Sequence, residues 1–314
     1  MRVNPSVLTG FCLLVVTLLS ATGVASRAVP SQGGTSFVSE SESLQPFSAD
    51  TAAELESYFD RLGYDWPPSL QIPALALQRL PPDFAEIRDS TARKHLFLRA
   101  LLPLVLAENR RLREQRQLAR LLLDNPPAEN GKLEEWLTAT ARKFRIRGDL
   151  RSAENRAELL KRLDEIPTAL TLAQAAIESG WGTSRFAREG NSLFGQWTYK
   201  KTGGLTPEDR AEDATHSVKA FPTLQASVRA YMHNLNIGHA YEELRDARAR
   251  LRAAGKTPTP MEIAAHLQRY SQRGEDYVRE IQRMVTSRDF AALHLDGARE
   301  PRLVAMNAMK KRES

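Results

Sequence analysis

The sequence predicts a mainly α protein carrying one small β element. Three observations lead there. Apolar residues recur at helical spacing over long stretches, and Pro and Gly breaks cut those stretches into helix-sized pieces. A single pair of short runs, Phe194–Lys200 and Ser217–Ala220, flanks a Gly- and acid-rich loop and reads as a hairpin.

Taken in order, Asp50 is placed to cap a helix running to Tyr58–Phe59, with Leu55, Tyr58, Phe59 and Leu62 on one face. Pro67-Pro68, Pro73 and Pro81-Pro82 then divide the chain into short pieces. A long helical stretch follows over Asp89–Asp124, with Leu101, Leu104, Val105, Glu108 and Leu112 at helical spacing. Pro103 should kink or split it, since proline lacks the N–H that an inner helical turn needs. The later half, Asn109–Arg120, is crowded with arginines and reads as a solvated face, with contact to an anionic polymer as the alternative. Asn125-Pro126-Pro127 marks an internal boundary, separating an N-terminal helical region (50–125) from a second domain (131–297).

Beyond it, helices are expected near Lys132–Phe144, at Ser152–Leu163, and from Ile166-Pro167 onward, where proline suits a first turn. After the hairpin come Leu224–Asn236, Tyr241–Ala254 (ended by Gly255), Pro260–Tyr270 and Asp276–Val285. Residues 298–314 read as a basic, frayed tail.

Composition bounds the function classes. The 314 residues carry 44 Lys plus Arg against 38 Asp plus Glu, a formal charge of +6. Apolar residues at 42% and charged residues at 26% are globular proportions that exclude a disordered tail. Gly and Pro at 17 each, without a period, exclude a collagen-like chain. The basic pI, near 9.5, favours an anionic partner.

The first segment bears on compartment. Arg2 is followed by the apolar run Val7–Ala21 and then by small residues at Thr22–Ser26, the layout of a secretory signal peptide over 1–26. Left uncleaved, it would act as an inner-membrane anchor, and it is the only expected contact with a membrane. Residues 27–49, rich in Ser, Gly and Gln, read as a flexible linker. The single Cys, Cys12, lies inside the signal segment, so disulfides and thiol catalysis are not expected in the remainder. Export to the periplasm also argues against a nucleic-acid partner.

Chemistry concentrates in Thr171–Gly182 (TLAQAAIESGWG). Leu172, Ala175, Ala176 and Ser179 form a packed helix face, while Gln174 and Glu178 share another. Gly180 and Gly182 stop the helix, which leaves Glu178 in its last turn. The negative end of the helix dipole and burial beside Trp181 should both raise its pKa, as a general acid working near neutral pH requires. Phe186, Phe194, Trp197 and Tyr199 follow closely, an aromatic density suited to stacking on sugar rings. The six histidines show no metal-ligand spacing, and no phosphate loop or serine elbow occurs. No metal or other cofactor is expected.

The run Ala173–Ala187 (AQAAIESGWGTSRFA), followed by Asn191–Gly195 (NSLFG), resembles the catalytic segment of bacterial peptidoglycan-cleaving β-N-acetylglucosaminidases, glycoside hydrolase family 73. The stretches Phe221–Asn236 and Arg269–Val278 are most similar to the Bax-like branch of that family. The resemblance implies a lysozyme-like α+β domain, with a cleft between a helical lobe and a small β-hairpin lobe. It also implies peptidoglycan glycan strands as the partner and Glu178 as the catalytic proton donor. Tyr270 matches the tyrosine of the family's Tyr-Ala-Thr element, which here reads Tyr270-Ser271-Gln272. Trp181, Tyr270, Gln174, Asn191, Phe194 and Trp197 are the residues expected to bind substrate.

Glycoside hydrolysis commonly uses a second carboxylate, about 6.5–9.5 Å away for inversion or about 5–5.5 Å for retention. In the family it comes from the β lobe, here Lys200–His216, where Glu212 is the first choice and Glu208 the alternative, beside Asp209 and Asp213. The substrate's own N-acetyl group could instead serve as nucleophile. Two further readings stand beside the hydrolase: a lytic transglycosylase-type muramidase, suggested by Glu178-Ser179, and a non-catalytic wall-binding or scaffold protein.

Overall fold

A computed structural model describes residues 44–126, 131–198, 204–206, 217–291, 293 and 301–305. The expected signal peptide and the acidic loop with Glu208 and Glu212 lie outside the described residues, as does most of the linker and of the tail. All described residues belong to one compact unit.

That unit is mostly helical, as expected. It begins with strand β1 (Gln45–Phe47), helix α1 (Ala52–Arg61) and strands β2 (Gln71–Pro73) and β3 (Leu75–Leu77). Thr51, not Asp50, caps α1 by accepting from the Glu54 N–H at 3.1 Å. β1 pairs with β3 in parallel, so the end of the presumed linker is a strand.

Helix α2 (Ser90–Asp124) is the axis of the protein. Its N-cap Asp89 accepts from the N–H groups of Thr91 and Ala92. The split expected at Pro103 does not occur, and the helix runs continuously through it. Proline deprives the Arg99 carbonyl of its helical donor, and the buried Tyr64 hydroxyl supplies one instead at 3.1 Å. Residues Leu96–Val105 are buried on every side because α2 runs beneath the remaining helices.

Those are α3 (Gly131–Lys143), α4 (Ala153–Arg162), α5 (Thr168–Ser179), α6 (Arg185–Gly190), α7 (Leu224–Ile237), α8 (Glu242–Ala253), α9 (Pro260–Ala264), α10 (Glu275–Val285) and α11 (Arg288–Ala291). α2 packs against α5 and α7, so the described residues on both sides of the Asn125-Pro126-Pro127 break share one core, without the domain boundary expected there. Asn109 of α2 ties the two halves together: it donates to the Ile166 carbonyl at 2.7 Å and accepts from the Ile166 N–H at 3.1 Å. α9 ends at Ala264 rather than near Tyr270, and turns fill the interval before α10.

The expected hairpin is a three-stranded antiparallel sheet. Strand β6 (Ser217–Lys219) lies between β4 (Trp197–Thr198) and β5 (Gly204–Leu205), the last drawn from within the loop. β7 (Arg302–Val304), inside the segment read as a frayed tail, pairs in parallel with β2.

Candidate active site

α5 brings Glu178 to its last turn, and the chain then reverses through three left-handed residues. Gly180, Trp181 and Gly182 have φ of 57°, 58° and 79°. A bulky residue such as tryptophan rarely adopts that conformation, so the turn is held by other bonds. The Trp181 N–H donates to the Ala176 carbonyl at 2.7 Å. Ser179 Oγ accepts from the Gly182 N–H at 3.0 Å and donates to the Ala175 carbonyl at 2.6 Å. Ser179 is therefore fully occupied in building the turn.

Below the turn lies a hydrogen-bonded relay that ends on the carboxylate. The buried Tyr231 hydroxyl donates to Gln174 Oε1, and Gln174 Nε2 donates to the Tyr277 hydroxyl at 2.9 Å. Tyr277 in turn donates to Glu178 Oε1 at 2.7 Å. The other oxygen, Oε2, faces Gly195, where a Cβ would sit 3.7 Å from it. Gly195 has a φ of 59° and contributes no side chain, so that oxygen is left uncrowded.

Stacked rings fix the relay. Phe194 stacks on Tyr231 with centroids 3.9 Å apart, and Tyr270 stacks on Tyr277 at 5.5 Å. The Tyr270 hydroxyl donates to the Phe194 carbonyl at 3.2 Å, linking the two stacks. Tyr241 leans on Tyr270 at 6.0 Å.

Burial raises the proton affinity of Glu178 above the ordinary carboxylate range. The Tyr277 hydrogen bond opposes that rise, the negative charge of Glu280 adds to it, and the positive charge of Arg273 opposes it. Arg273 and Glu280 are themselves paired, Nη1 to Oε2, at 2.7 Å. Burial also pushes the Tyr277 hydroxyl upward, with the nearby Glu178 charge next in size, so Tyr277 stays a donor at working pH.

The residues expected to bind substrate take several different places. Gln174 is fully buried and bonds two tyrosines, so it supports Glu178 from beneath. Asn191 is buried too: it forms the left-handed end of α6 and donates to the Phe221 carbonyl at 3.1 Å. Phe194 belongs to the core. Trp181 does not lie in the tyrosine cluster. It wedges between Phe97 and Phe290 at 6.0 and 6.4 Å, with Lys94 Nζ 5.2 Å from its ring centroid. Tyr270 is half-buried beside the carboxylate, and Trp197 on β4 is 60% exposed. Among the described residues no group of three or more His, Cys, Asp and Glu could hold a metal ion.

Sequence reasoning missed Tyr231, Tyr241, Tyr277, Glu280, Arg273 and Gly195. Tyr277 was within reach, since it lies seven residues after Tyr270 inside the Arg269–Val278 run. The relay through Gln174 joins three distant helices and leaves no local pattern.

Comparison with known proteins identifies the family. Residues 154–289 match the glucosaminidase family described as mannosyl-glycoprotein endo-β-N-acetylglucosaminidase. The chain is 33% identical to protein bax of Escherichia coli (strain K12) over 207 residues, covering 62% of this chain and 70% of that protein. The chain belongs to the Bax-like glucosaminidase family. No solved structure matches it significantly. The glucosaminidase segment contains Glu178, its relay and the β4–β6 sheet, whereas α2 and α3 lie outside it. Membership in this family supports a glycan hydrolase with the mainly α, lysozyme-like architecture seen here.

Proposed function

We propose that this protein is an exported peptidoglycan hydrolase that cleaves the β-1,4 bond after N-acetylglucosamine, with Glu178 as the general acid. One observation carries the reading. Glu178 is a partly buried carboxyl whose Oε1 is fixed by Tyr277 and whose Oε2 faces the open position at Gly195. Burial keeps the proton on Glu178 at a pH where a free glutamate has lost it, and Oε2 has room to deliver it to a departing glycosidic oxygen.

Protonation of that oxygen weakens the bond to the anomeric carbon, and the sugar develops oxocarbenium character. Tyr270 and the exposed Trp197 offer rings for the flanking sugars. The second carboxylate is assigned to the acidic loop, with Glu212 first and Glu208 second; both lie outside the described residues. Peptidoglycan, with free carboxyls on its peptide stems, also suits the net charge of +6. The signal-like segment 1–26 supports a periplasmic location.

Digestion of purified sacculi tests the assignment. Wild-type protein should release fragments ending in reducing N-acetylglucosamine, and Glu178→Gln should release none while still binding sacculi. Anhydro-muramic ends would point to the transglycosylase reading, and binding without any product to the scaffold reading.

A further inference from the structure

At the N-terminal end of α5, away from Glu178, the helices enclose a groove of about 630 Å³. Glu178 ends the helix and the groove precedes it, so at ~1.5 Å per residue the two are separated by ~15 Å or more. Five cations line the groove, Arg113, Arg116, Arg120, Lys161 and Arg252, against two carboxylates, Asp164 and Glu165.

Those two carboxylates are already engaged. Arg252 holds both oxygens of Asp164 at 2.8 and 2.9 Å, with the fully buried Arg248 behind it at 3.6 Å. Arg113 holds both oxygens of Glu165 at 3.1 and 2.6 Å. Arg116 is left 3.9 Å from Asp164 and donates to the Leu163 carbonyl at 3.1 Å. Burial depresses the proton affinity of Arg116; Asp164 opposes this, while the positive charges of Arg252 and Arg120 add to it. Arg120 is 75% exposed, and its Nε lies 3.8 Å from the exposed Asp124 carboxylate. Guanidinium groups thus outnumber the carboxylates here, and each of the two carboxylates is already held by a bidentate arginine. An oxyanion entering from solvent would relieve that repulsion and accept paired N–H bonds.

We propose that this groove is a second, non-catalytic binding site for carboxylates pendant on the glycan, so that one polymer strand is held both here and at Glu178. The site rests on the proposed peptidoglycan substrate but does not depend on turnover. An extended chain bearing repeated carboxyls has the length to reach both places. Attachment of this kind is screened by salt.

Retention on purified sacculi, measured in the Glu178→Gln background of the full chain, separates binding from cleavage. A chain that cuts nothing still gives a reading. Arg120→Glu and, separately, Arg116→Gln should lower retention by ~threefold or more at low ionic strength, with the gap closing as salt is raised. Amidating the sacculus carboxyls should bring the parent protein down to the level of the variants and abolish the difference between them. Arg120→Glu alters an exposed side chain, so it keeps the test open should Arg116→Gln fold poorly. Equal retention by parent and variants overturns the proposal. A difference that persists on amidated sacculi also overturns it.

Discussion

The Tyr277 hydroxyl donates to Glu178 Oε1 at 2.7 Å while itself accepting from Gln174. That bond stabilises the ionised carboxylate, and burial works against it. The pH at which Glu178 holds its proton is therefore a balance that single substitutions can tip.

Tyr277→Phe removes the donor and leaves Gln174 Nε2 unpaired in the core. The cost to stability should be about 1–2 kcal/mol. Glu178 would then keep its proton to higher pH. The alkaline limb of the activity profile should move upward, as a pH–rate series would show.

The Arg273–Glu280 pair acts on the same carboxyl with opposite signs. Glu280→Gln removes a negative neighbour, so the alkaline limb should move down. Arg273→Gln removes a positive one and should move it up. A general structural disturbance would not shift the two variants in opposite directions.

The raised proton affinity of Glu178 also affects stability. Between the ordinary glutamate value and the native one, the folded protein holds a proton that the unfolded chain has lost. Stability therefore falls as pH rises through that window. Glu178→Gln removes this loss while keeping an acceptor for Tyr277. The variant should melt above wild type at neutral pH, and the difference should vanish below about pH 4, where both states are protonated. Melting curves across pH check it.

The left-handed turn after Glu178 tolerates little change. A Cβ at Gly182 would lie 2.8 Å from Leu80 and 3.0 Å from Phe84 and Phe97. Gly182→Ala should cost about 2–4 kcal/mol from backbone strain and overpacking together. At Gly180 the tight contact is the Thr183 hydroxyl, so Gly180→Ala should cost only about 1–2 kcal/mol. Denaturant midpoints of the two variants give the comparison.

Gly195→Ala separates stability from activity. Its Cβ would meet Glu178 Oε2 at ordinary contact distance, 3.7 Å, in the space that the proposed mechanism gives to the glycosidic oxygen. Stability should fall by about 1–2 kcal/mol from the left-handed backbone alone. Cleavage should fall ~tenfold or more, because displacement of the reacting oxygen is costly.

What could be read in the sequence was set by local forces. Helical spacing and Pro or Gly breaks placed nearly every helix, because each depends on its own apolar stripe and caps. Pro103 misled, since its tolerance depends on Tyr64, a residue 35 positions from the carbonyl it satisfies. β1 and β7 were hidden for a related reason: parallel pairing with β3 and β2 leaves no turn signal nearby. At the candidate site, Glu178 was legible because its motif is contiguous. Gln174 and Asn191 were placed on the substrate side, and only the packing shows them turned inward. The groove beside Asp164 drew one arginine stripe from α2, yet its other walls come from α4 and α8.

The most direct measurement is a carbon-13 NMR titration of the Glu178 side-chain carboxyl, assigned by its loss in Glu178→Gln. The account predicts a midpoint clearly above that of a free glutamate, falling in Glu280→Gln and rising in Tyr277→Phe. A midpoint at the ordinary glutamate value, unmoved by either substitution, would contradict it.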